Sequence, residues 1–109
     1  MTELIRIDAD QLIPGDGEPL LDASVIIRGD EIEWVGPRAE APNIPDNTAI
    51  WSVPYLMPGL WDCHTHMTGL TSTSLDDVMR LPVPVAAARA VRDASRALNA
   101  GITSVREVG

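Results

Sequence analysis

The sequence predicts an α/β chain in two parts: short β-strands joined by turns, followed by a single β-α-β segment. Three observations carry this expectation. A β-branched run before Gly29-Asp30 and an alternating apolar and polar run after it form the pattern of a hairpin closed by a two-residue turn. Near Pro54 the character changes to the apolar run Leu56-Met57-Pro58-Gly59-Leu60-Trp61, which suits a strand buried on both faces of a parallel sheet. An alanine-rich segment from Val85 to Ala100 then leads into a second β-branched run, so a strand, a helix and a strand follow one another.

Taken in order, residues 3–8 alternate apolar and polar and read as a half-buried strand. Asp10 to Pro19 holds Pro14-Gly15-Asp16-Gly17, a turn-rich interruption. Ala23 to Arg28 reads as a β-branched strand, and Glu31 to Val35 as its hairpin partner, ended by Gly36-Pro37. Residues 38–48, rich in Pro, Asn, Asp and Ala, read as loop, and Ala49 to Val53 as a further short strand. After the apolar run, Gly69 to Ser74 is small and polar and reads as loop. Leu75 to Leu81 forms a helical turn that Pro82 and Pro84 interrupt. In the alanine-rich helix, Ala87, Val91, Ala94 and Leu98 trace one apolar face at steps of four, three and four. Gly101 supplies the helix stop, and Ile102 to Val108 the second strand, parallel to the first by a right-handed crossover. Asp76-Asp77 is a solvated helix start, because acids favour the first turn.

Composition narrows the function. The chain has 109 residues, with 8 Lys+Arg against 16 Asp+Glu and a formal net charge of −8. This balance argues against nucleic acid and anionic membranes as partners, since both require a basic footprint. All the basic residues are arginines, and the histidines are His64 and His66 alone. Cys63 is the single cysteine, so no internal disulfide forms and nothing indicates an oxidising compartment. The start carries no secretion-signal pattern and no apolar run reaches membrane-span length; by elimination the expected location is cytoplasmic.

The chemistry lies in Asp62-Cys63-His64-Thr65-His66. Residues two apart on a strand point to the same side, so the imidazoles of His64 and His66 can converge on one metal ion. Asp62 shares their parity one step further into the sheet, where it would orient a histidine from behind or close the floor of the site. Cys63 has the opposite parity and reads as a packed apolar residue. A His-x-His pair alone is a weak signal, and two loop histidines with structural hydrogen bonds are the plain alternative. Position adds weight, because the pair ends a parallel strand and α/β sheets bind ligands at the carboxyl ends of their strands. Arg106 and Glu107 lie at the same end of the second strand. Arg106 suits a substrate carboxylate; an ion pair tying strand to loop is an equal alternative.

The stretch from Leu56 to His66 resembles the opening motif of the amidohydrolase superfamily, in which an apolar Met-Pro-Gly run leads into a His-x-His pair. Val25 to Gly36 looks like the hairpin of that family's small β-sandwich, and Ala100 to Gly109 like the second barrel strand of its imidazolonepropionase-like and prolidase-like branch. Trp61 departs from the pattern, which more often has a smaller aliphatic residue there.

The resemblance implies the N-terminal part of a (β/α)8 TIM barrel preceded by part of a β-sandwich, with residues 1–56 in the sandwich and 57–109 in the barrel. It implies a metal-dependent hydrolase that cleaves a C–N bond, in an amide, peptide or cyclic amide, with metal-activated water. His64 and His66 then take the first-strand ligand roles for Zn2+ or another divalent metal, one or two ions per site. The family's other ligands, two further histidines and in binuclear members a carboxylated lysine, have no counterpart in a chain without lysine or a third histidine. The general base, an aspartate of the last barrel strand, is likewise expected downstream, so no catalytic residue is assigned in this chain. A barrel of this kind takes about 250 residues. The chain therefore reads as a truncation, a proteolytic product or a subunit of a split enzyme, inactive alone. Its expected partners are a small-molecule amide or dipeptide substrate and the remainder of the same enzyme or a complementary chain, with homo-oligomerisation left open. The alternatives are a non-catalytic structural or binding module, and a small metal carrier, which would need more ligands than this chain supplies.

Overall fold

The computed structural model describes residues 3–67, 72 and 74–108, with the side chains of residues 75 and 78 left aside. The expected loop at Gly69 to Ser74 lies largely outside the described residues. The chain is α/β with mainly strands, and it divides into two compact units, Met1–Pro58 and Gly59–Gly109.

The first unit holds a four-stranded sheet in the order β3-β2-β1-β4, built from β1 (Leu4–Leu12), β2 (Leu20–Arg28), β3 (Glu31–Pro37) and β4 (Ala49–Leu56). β1 and β2 pair antiparallel, as do β2 and β3, whereas β4 runs parallel to β1. The hairpin of β2 and β3 turns at Gly29, whose φ of 63° is a left-handed conformation that glycine adopts without steric cost. The first hairpin is longer than the sequence indicates. β1 runs through Asp10 to Leu12, and the ladder pairs Leu12 with Leu20. Burial explains the extension: Leu12 packs with Ala23 and Val25 in the core, with Leu20, Ile27 and Leu56 against them. The turn signal is thereby confined to residues 13–19, where Gly15 and Gly17 take positive φ. β4 also outruns its expected end at Val53 and carries Pro54, which a strand at the sheet edge tolerates because a missing N–H there breaks no ladder bond.

Ile7, Ala9, Ala23 and Val25 are buried on one face of this sheet. The other face buries Ser24 and Ile26 and carries a polar network. Asp8 lies opposite Ser24 in the register. Its Oδ1 accepts hydrogen bonds from Ser24 Oγ at 2.5 Å and from Arg6 Nε at 2.6 Å. Burial by itself raises the Asp8 pKa. The bonds from Ser24 and Arg6, with the charges of Arg6 and Arg38, outweigh it and hold the carboxyl below its ordinary range.

The second unit contains β5 (Leu60–Thr65), α1 (Leu75–Arg80), α2 (Val83–Asn99) and β6 (Ile102–Glu107), with β5 and β6 paired in parallel. The first strand of this unit begins at Leu60, not within the apolar run at Leu56, because Leu56 belongs to β4. Nor is it buried on both faces: Leu60 and Trp61 are exposed, Trp61 by 73%. Gly59 is required at its entry, since a Cβ there would overlap the Thr103 side chain on the neighbouring strand.

Pro84 lies in the first turn of α2 and Pro82 caps it. The prolines thus start the helix, where a missing N–H costs nothing. At the far end Gly101, with φ of 85°, ends it as expected. The face of α2 differs from the expected one. Val91 and Leu98 are 72% and 63% exposed, and the half-buried positions include Ala86, Ala90, Asp93 and Ala97. Packing selects a stripe rich in small side chains, which allows close approach of the helix, over the stripe with the larger apolar ones. Among the described residues no helix is long and apolar enough to cross a membrane.

Candidate metal centre

The carboxyl ends of β5 and β6 bring together the polar residues of the second unit. Thr65 pairs with Glu107 in the parallel ladder. Two further bonds clamp the strand ends: Thr65 Oγ1 donates to the Arg106 carbonyl at 3.1 Å, and Val108 N–H donates to the Thr65 carbonyl at 3.1 Å.

His64 is the penultimate residue of β5 and His66 follows its end. Their rings stand edge to face, with centroids 5.2 Å apart and planes at 72°. Two imidazoles on one tetrahedral zinc, through bonds of ~2.0–2.1 Å, have centroids roughly 5 Å apart. The observed spacing fits two donors to a shared ion. Imidazole nitrogen also suits zinc in chemical type. Among the described residues, no three His, Cys, Asp or Glu side chains group as a metal-holding set, whereas catalytic zinc sites take about three protein ligands.

The register shifts between Asp62, opposite Val105, and Thr65, opposite Glu107. β5 therefore advances three residues where β6 advances two, and the extra residue falls at Cys63-His64. Such bulges re-aim side chains. Asp62 Oδ1 accepts a hydrogen bond from the backbone N–H of His64 at 3.1 Å, a contact with the main chain of the histidine. Cys63 is exposed, in contrast to the packed residue that strand parity indicates, because little covers this side of β5.

Glu107 is the residue that the sequence did not connect to the pair. Its Oε2 accepts from the Met67 backbone N–H at 2.5 Å, and its Oε1 lies 4.0 Å from His66 Nδ1. The available signal was the parallel register, which sets the residue after Thr65 beside the end of β6. Arg106 is exposed, and strand alternation directs its side chain away from that of Glu107.

No protein-family model matches the chain. Among curated proteins, it is 41% identical to ochratoxinase of Aspergillus niger over 106 residues, 94% of this chain and 22% of that protein. The crystal structure of A. niger ochratoxinase superposes with a TM-score of 0.89 at 36% identity, over 97% of this chain and 25% of the other. Its homologues are amidohydrolases. Imidazolonepropionase of Pseudomonas putida is 48% identical over 46 residues, 41% of this chain and 12% of that enzyme. A prolidase complexed with N-methylphosphonate-L-proline superposes with a TM-score of 0.81 at 27% identity, covering 97% of this chain and 26% of that structure. The chain thus spans about a fifth of the length of the ochratoxinase it matches, 22%, and the amidohydrolase likeness extends over nearly all of the chain.

Proposed function

We propose that this chain is the N-terminal portion of a metal-dependent amidohydrolase that cleaves a C–N bond in a small amide, peptide or cyclic amide. The observation that carries the reading is the His64–His66 pair at the carboxyl end of β5, with centroids 5.2 Å apart. In this reading the two imidazoles hold a divalent metal, zinc by donor type, in a mononuclear or binuclear site. A metal held by His64 and His66 would supply Lewis-acid chemistry, activating water and polarising a carbonyl.

The chain's own residues bind and orient. Asp62 fixes the backbone at His64. The clamp from Thr65 to Arg106 holds β5 and β6 at the register that sets Glu107 near His66. Arg106, exposed at the same strand end, is the candidate to hold a substrate carboxylate. The parallel β5-α-β6 segment is the first unit of a TIM barrel in this reading. The further strands would supply the remaining ligands and the general base, and the four-stranded sheet would belong to a β-sandwich. The partners are the rest of the enzyme and a small-molecule amide or dipeptide.

The test is reconstitution. The chain is combined with a separately produced C-terminal portion of the enzyme and zinc, and hydrolysis of amides and dipeptides is assayed. The mixture is expected to be active and the chain alone inactive, and replacing His64 and His66 together by alanine should abolish the recovered activity. Activity from the 109-residue chain alone, or a mixture indifferent to the double replacement, would overturn the reading.

A further inference from the structure

We propose that Glu107 is a positioning residue for His66: its carboxylate, anchored on the Met67 amide, sets the imidazole as the Nδ1–H tautomer and leaves Nε2 as the metal-facing nitrogen. The tautomer rests on the strand-end geometry of this chain alone; the role of Nε2 rests on the metal-ligand reading above.

The anchoring comes from the strand ends. The pairing of Thr65 with Glu107, and the Val108 N–H bond to the Thr65 carbonyl, fix the backbone on both sides of the carboxylate. One carboxylate oxygen, Oε2, accepts the Met67 N–H at 2.5 Å. The other, Oε1, lies 4.0 Å from the Nδ1 of His66. An ionised carboxylate only accepts hydrogen bonds, so a ring that turns a bare lone pair towards it is disfavoured and a ring that turns an N–H towards it is favoured. The spacing exceeds a direct hydrogen bond, so one bridging water or a small rotamer change is required between the two groups. A carboxylate behind an imidazole orients the ring and raises the basicity of the opposite nitrogen, and removing such a partner ordinarily weakens metal binding about 10–100-fold.

The chain is labelled with 15N at histidine, and two-bond 1H–15N spectra are recorded without metal at about pH 8.5, above the ordinary imidazole range. His66 is expected to show the Nδ1–H pattern. In Glu107→Gln, which keeps an acceptor for the Met67 amide and loses the charge, the pattern should move towards the Nε2–H-rich mixture of free imidazole, while His64 keeps its own. Glu107→Asp should restore part of the Nδ1–H preference. If Glu107 only ties strand to loop, its replacement moves the Met67 amide resonance and leaves the His66 tautomer unchanged. That result overturns the proposal, as does a wild-type His66 in the Nε2–H form, which also decides the matter should the variants not fold.

A zinc titration of the same samples separates the two levels. A wild-type imidazole response that disappears on joint replacement of His64 and His66 by alanine supports the ligand reading. No response in the wild type sinks that reading and leaves the tautomer result standing. Where zinc binds, Glu107→Gln should weaken it at least about tenfold; unchanged affinity overturns the positioning role.

Discussion

Asp8 and Asp62 are both strand carboxylates, and they act through different partners. Asp62 accepts from the backbone of His64 two residues on, a local contact that alternation along one strand does not disclose. Asp8 accepts from Ser24 and Arg6. Against burial, which raises its pKa, these bonds hold the carboxyl below the ordinary range, so the first unit is expected to lose stability in acid. An aspartate whose folded pKa lies below its unfolded value of about 3.9 contributes stability that is fully present above that pH and lost as pH falls through the folded value. Asp8→Asn should therefore cost about 2 kcal/mol near neutrality, and the difference from wild type should shrink below about pH 4. Urea unfolding at pH 7 and pH 3 measures both. Gly59 offers a second check. Gly59→Ala forces a Cβ into Thr103 and should destabilise the second unit by about 1–3 kcal/mol. Thr103→Ala in the same chain should recover part of that loss in a double-mutant cycle. That His64 and His66 lie side by side was legible because they are two residues apart in sequence; strand parity does not carry it, since His66 follows the end of β5. The Glu107 contacts were not, because Glu107 and Met67 are 40 positions apart and only the register of two strands unites them.

Among the elements, those with local punctuation were legible. Gly29-Asp30 between a β-branched and an alternating run marks the β2–β3 hairpin, and Gly101 marks the end of α2. What escaped is where long-range burial overrides local signals. β1 runs on to Leu12 because that side chain has a core to enter, and β5 starts late because Leu56 is taken by β4. The face of α2 is the clearest case. Periodicity picks out Val91 and Leu98 as the apolar stripe, but the helix turns Ala86, Ala90 and Ala97 inward. In this chain Val91→Ser and Leu98→Gln should change stability by no more than about 0.5 kcal/mol. Ala90→Leu or Ala97→Leu should cost about 1–3 kcal/mol by overpacking. Thermal unfolding of the four variants ranks them, and the opposite order would show that the apolar stripe is the packed one.

At the scale of the whole molecule, the homologues are amidohydrolases, and the proposed chemistry starts at the two histidines. The change of pattern near Pro54 was visible in the sequence, and the compact units meet at Pro58 and Gly59. In the proposed reading the rest of the ligand set was not legible, since the 109 residues hold two histidines and no lysine. The central claim is that His64 and His66 bind one metal ion together. X-ray absorption at the zinc edge, on the chain loaded with one equivalent of Zn2+, tests it most directly. The expected result is two imidazoles with nitrogen at about 2.0–2.1 Å, recognised by the outer-shell multiple scattering of their rings, with oxygen ligands in the remaining positions, and loss of the imidazole signal when both histidines are replaced by alanine. A first shell of oxygen alone, or an imidazole signal that survives the double replacement, would contradict it.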